Sequence, residues 1–116
     1  MITPDLVRWQ HQLYPRNHVD RRNLLIHLCT APLFLGGLAS VITGIARLSL
    51  VVGLSGLAAM VIAVAAQGRG HRLEAEPPVP FRSPLDVVAR LFVEQLVTFP
   101  RFVLSGGFSR AWAAAR

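Results

Sequence analysis

"LLIHLCTAPLFLGGLASVITGIARLSLVVGLSGLAAMVIAVAA", residues 24–66, carries one formal charge, Arg47. A helix of about 20 residues crosses the roughly 30 Å of hydrocarbon in a bilayer. Arg47 divides this stretch into two such lengths, spans of about 24–46 and 48–66. With so little chain between them, the two must be antiparallel neighbours. Small residues recur every four positions in each, as Gly36, Ser40 and Gly44 and as Ser55, Ala59 and Ala63. In lipid the hydrophobic effect does not drive helices together, and such positions let backbones approach until van der Waals packing does. The same faces offer contact to a second copy, a homo-oligomer.

The remaining composition agrees. Of 116 residues, 53% are hydrophobic and 16% charged, a balance foreign to a soluble domain of this length. The chain reads as one domain, 1–116. Its net charge of +6 comes from arginines with no lysine. They flank the apolar runs instead of forming a basic stripe with interleaved aromatics, which argues against nucleic acid and for anionic headgroups. All but Arg47 lie outside the hairpin, so the positive-inside rule puts both termini in the cytoplasm, at a bacterial inner membrane for this arginine- and alanine-rich chain. The single Cys29 excludes an internal disulfide. Residues 1–23 are too charged for a signal-peptide core.

Two amphipathic stretches flank the hairpin. Residues 4 to about 16 place Leu6, Trp9, Leu13 and Tyr14 on one face, suited to the headgroup layer. Ser83, Pro84 and Asp86 give an N-cap, first and third position of a helix. Its apolar stripe runs through Val88, Leu91, Phe92, Leu96, Phe99, Phe102 and Val103, with Glu94 off the stripe. Pro100 kinks or divides it, and Gly106 and Gly107 end it. Between Glu76 and Ser83 prolines impose extended chain. The fold class is therefore all-α, an integral membrane helical hairpin with flanking interfacial helices.

The histidines fall at one end of this hairpin. His27 lies just inside the first span and His71 just beyond the second, so antiparallel spans bring both to the same surface, with His18 and His11 nearby. His18 and His27, nine apart, would point oppositely on one helix. Asp20 as N-cap starts the span at Arg21 and leaves His18 in a preceding turn, free to fold back over Asn23 and His27. Gln67, His71 and Glu74 share a face if the second helix persists past Gly70. Imidazoles with a carboxylate from two helices suit a divalent first-row metal, iron for oxygen chemistry or zinc for hydrolysis. A haem held by His27 and His71, and a non-enzymatic membrane interaction module, are the alternatives.

The segment "YPRNHVDRRNLLIHLCTAP", with Tyr14, His18, Asn23, His27 and Pro32, resembles the N-terminal motif of the Mpo1-like family. "GHRLEAEPPVP" is similar to that family's second motif. The resemblance covers roughly residues 9–104. It implies an Fe²⁺-dependent membrane dioxygenase that shortens 2-hydroxy fatty acids by one carbon, with O₂ as co-substrate. It further implies His18, His27 and His71 as metal ligands, with Glu74 as a further ligand or a catalytic acid, and Asn23 and Tyr14 in supporting catalytic roles. Glu74 stands three residues after His71 where four is the family's spacing, which makes Glu76 a rival. Arg72 is the candidate for binding the substrate carboxylate.

Overall fold

A computed structural model describes residues 2–115. Among these the chain is all-helical. Thr3 caps α1 (Pro4–Leu13) by accepting the Leu6 amide at 3.2 Å, with Pro4 opening the helix and Asp5 in its first turn. α1 ends three residues before the sequence pattern fades, because Tyr14–Asn17, with Pro15, tightens into a 3₁₀ turn. The chain then breaks at His18, and Asp20 caps α2 (Arg21–Ala46) by accepting the Arg22 amide at 2.8 Å. Leu48, at φ 53, reverses the chain. Ser49 caps α3 (Leu50–His71).

α2 and α3 pack along a seam of small residues. A Cβ on Gly37 would lie 2.7 Å from the Gly56 carbonyl, one on Gly44 would meet the Gly53 backbone, and Ser40 donates to Val52 O at 2.8 Å. Ser40, Gly44 and Ala63 thus serve the seam as expected, but Gly36 and Ser55 are exposed; Gly37 and Gly56 take those places. The four-residue pattern set the right periodicity and missed by one residue only at Gly36 and Ser55. Elsewhere these helices show apolar side chains outward: only 22% and 17% of their most apolar windows are buried. Both are long and apolar enough to cross a membrane.

Ser83 caps α4 (Pro84–Val93), accepting the Asp86 amide at 3.1 Å. Glu94–Thr98 then forms a π turn, α5 runs Phe99–Leu104, Gly106 turns the chain in the left-handed region at φ 85, and α6 (Gly107–Ala114) follows. Pro100, without an amide hydrogen, sits just past the wide turn. The buried face differs from the anticipated stripe both before and within the turn: Val88 and Leu96 are exposed, while Ala89, Val93, Gln95 and Thr98 are buried. α4 and α5 lie against one end of the hairpin, where Phe92 meets Phe34 edge-on at 5.5 Å and Phe99 and Phe102 join Tyr14 and Leu24 in the core.

Candidate metal centre

The capped break at Asp20 folds His18 back over the first turns of α2. His18 and His27 are both buried, their rings edge-to-face at 4.6 Å, with His71 about 5 Å from each. The fourth member is Glu94, at the start of the π turn. One ligand atom from each of the four lies within 4.8 Å of the others.

Tautomers follow from the partners. His18 Nδ1 faces Tyr14 O at 2.9 Å and His27 Nδ1 faces Asn23 O at 3.0 Å. A carbonyl only accepts, so each Nδ1 carries the proton and each Nε2 presents a lone pair. Those lone pairs point at one another: Nε2 to Nε2 is 3.4 Å, and Glu94 Oε2 lies 3.4 Å from His27 Nε2 and 3.7 Å from His18 Nε2. Three acceptors facing inward repel unless a cation joins them. Two nitrogens bound about 2.1 Å from one ion at a tetrahedral angle stand about 3.4 Å apart. The donor types fit a divalent first-row metal, and so does the spacing of His18, His27 and Glu94; the group of four as a whole spans up to 4.8 Å. His71 Nδ1 agrees, being buried without a hydrogen-bond partner among the described residues.

A supporting layer fixes these groups. Tyr14 stacks on His18 with ring centroids 3.7 Å apart and donates its hydroxyl to Glu94 Oε2 at 2.8 Å. Glu94 and His71 are also tied through their neighbours: Gln95 and Gln67, both buried, form a reciprocal amide pair at 2.6 and 3.1 Å, linking the π turn to the last turns of α3. Burial, then the proximity of His27, lowers His18 to about 3, which keeps it neutral and metal-ready at pH 7. Burial, then the Glu94 charge, raises the Tyr14 phenol, which stays protonated as the donor.

Glu74 is placed outside the group of four. Its carboxylate accepts the amides of Val19 and Asp20 at 3.1–3.2 Å and the Asn23 side-chain amide at 2.7 Å. It thus secures the break that carries His18, and Asn23, whose carbonyl orients His27. Asn23 fits because Gly70 leaves room; a Cβ there would collide with its Oδ1. Glu76, the rival, pairs with Arg16 at 3.0 Å on the surface. Arg72 is exposed beside an apolar cavity that also touches His18, His71 and Glu94. His11 is not in the group. Glu94 was missed although it is the one acid within the apolar stretch 87–104, a signal set aside when it fell off the helical stripe.

His18 also sets a pH dependence. The unfolded imidazole takes a proton near pH 6.5 and the folded one only near 3, so stability present above about 6.5 is lost as pH falls through that window. The metal-free protein should show a lower thermal midpoint at pH 5 than at pH 7.5; equal midpoints would contradict the burial of a neutral His18.

Comparison of the chain with family models, with curated proteins and with solved structures gives no match.

Proposed function

We propose that this chain is an Fe²⁺-dependent membrane dioxygenase acting on 2-hydroxy fatty acids and removing one carbon. The observation that carries this is the inward-facing set of three imidazoles and the Glu94 carboxylate, in which the three histidines are those singled out by the motif resemblance. Nitrogen and carboxylate donors with room for exogenous ligands are the habit of non-haem iron sites that use O₂. Bound there, Fe²⁺ supplies O₂ activation and a Lewis-acid seat for a 2-hydroxy acid. The chain's own groups do the rest: Tyr14 O and Asn23 O hold two imidazoles in the binding tautomer, Tyr14 steadies Glu94, and Arg72 at the cavity edge pairs with a carboxylate.

The hairpin's outward apolar faces support residence in lipid, because a soluble core helix would be mostly covered. We place both termini on the cytoplasmic side of a bacterial inner membrane from the arginine distribution. Gly36 and Ser55, left on the outside of the seam, are where a second copy would pack.

Protein purified in detergent and reconstituted anaerobically with Fe²⁺ should hold one iron per chain and consume O₂ only when given 2-hydroxypalmitate, yielding the acid one carbon shorter. The ligand spacing also suits tetrahedral zinc. Retention of zinc in preference to iron, with no O₂ uptake, would replace the oxygenase with a hydrolase or a structural site.

A further inference from the structure

Beside the four ligand side chains lies an apolar cavity of about 400 Å³, walled by α1, the end of α3, the proline-rich segment and α4. Small-molecule sites span about 300–1,000 Å³. His18, His71 and Glu94 border this cavity and His27 does not. The cavity thus reaches the four-residue group from the side of His18, His71 and Glu94.

Val64, Gly68 and His71 of α3 border it too. Spacings of four and three put them on one face of the helix, a stripe about 10 Å long from the apolar span to the metal ligands. Gly68 is the odd member. Glycine inside a helix costs about 1 kcal/mol relative to alanine. Gly56 and Gly70 are required by close approach to α2, whereas a Cβ on Gly68 would meet nothing within 4 Å. Packing does not call for glycine at this position, which borders the cavity.

We propose that this cavity holds the hydrocarbon chain of an amphiphile, polar end at His18, His71 and Glu94 and tail along α3 toward Val64, and that Gly68 sets its clearance. The proposal rests on the lipid-oxidation function for the ligand's chemistry. Gly68 is thus a specificity-determining residue: alanine there trims the channel and leucine blocks it, without touching the metal ligands or the α2–α3 seam.

Trp9 borders the cavity and reports its occupancy. In a Trp112→Phe background, under anaerobic conditions, a brominated 2-hydroxy fatty acid should quench Trp9 fluorescence saturably. Gly68→Leu should weaken the apparent affinity at least tenfold with iron content and thermal midpoint unchanged, and Gly68→Ala should weaken it less. Val87→Phe, which narrows the cavity from α4 without adding a tryptophan, should act like Gly68→Leu and stands as the second variant. Wild-type quenching in both Gly68→Leu and Val87→Phe overturns the proposal. O₂ uptake separates it from the function it rests on. Saturable quenching with no uptake keeps the cavity as the chain site and removes the dioxygenase. O₂ uptake with 2-hydroxypalmitate at the wild-type rate in Gly68→Leu keeps the dioxygenase and overturns the cavity.

Discussion

Glu94→Gln should abolish iron retention and O₂ uptake while leaving the fold in place, and Glu74→Gln should do nearly the reverse. The first change removes the charge that balances a divalent ion but keeps an oxygen for the Tyr14 hydroxyl, which lies 2.8 Å from Glu94 Oε2. It also relieves the folded apo-protein of a buried carboxylate, so its thermal midpoint without metal should match or exceed the wild type. Metal affinity should fall by more than about 100-fold, beyond the roughly 10–100-fold typical of changes one layer out. Glu74 has five hydrogen-bond contacts to Val19, Asp20 and Asn23 and none to the ligand atoms. Glutamine there turns an NH₂ toward a donor whichever way it flips, leaving buried donors opposed at a cost of about 1–3 kcal/mol. Glu74→Gln should therefore lower the thermal midpoint by several degrees and weaken iron by about 10-fold to 100-fold through the loosened His18 turn. Iron content and midpoint, measured side by side, decide the matter. If Glu74→Gln loses all metal with an unchanged midpoint while Glu94→Gln keeps it, the roles assigned to the two carboxylates are inverted.

That the sequence pointed to Glu74 and not to Glu94 has a local cause. The hairpin was legible because one charge in residues 24–66 leaves little choice of topology, and that topology by itself carries His27 and His71 to one end. The break before α2 was legible because Asp20 is a strong cap, and the break is what lets His18 join them. Ser83 and Pro84 announced α4 equally well. Beyond Val93 the inference rested on a constant 100° per residue, and the π turn at Glu94–Thr98 violates it. Such turns insert a residue, and they recur at functional sites. No composition signal marks this one except the Pro100 that follows. Glu74 had the reverse problem: its distance from His71 suited a ligand, but two free amides at the α2 N-terminus are a stronger seat for a carboxylate than a place beside Glu94. The small-residue seam shows a third limit. Gly36 and Gly37 are adjacent, and choosing which faces α3 requires the crossing geometry, set by backbone contacts that a pattern of small residues does not encode.

That geometry makes Gly56→Val the most damaging single change away from the metal. A Cβ on Gly56 would strike the Gly37 carbonyl, the Val41 amide nitrogen at 2.7 Å and Ser40 Cβ at 2.8 Å. Two of these are backbone atoms inside a helix and cannot rotate away, so the helices must separate. Overpacking that side chains can absorb costs about 1–3 kcal/mol; here separation also strips the seam of the contacts that hold it in lipid, where no hydrophobic term compensates. The effect should travel. Gly56 is about 22 Å from His71 along α3, yet the seam continues to the Gly70–Asn23 contact, so a wider crossing draws His71 and Gln67 off the α2 face that carries His27. Gly56→Val should lower the unfolding midpoint by more than 10 °C and reduce iron retention even in the folded fraction. Gly36→Ala, with nothing within 4 Å of the added methyl, should hold iron as the wild type does and gain up to about 1 kcal/mol of helix propensity. Equal midpoints for Gly56→Val and Gly36→Ala would mean that the seam does not hold the hairpin together, and the register of α2 against α3 would then have to come from the residues around the metal centre.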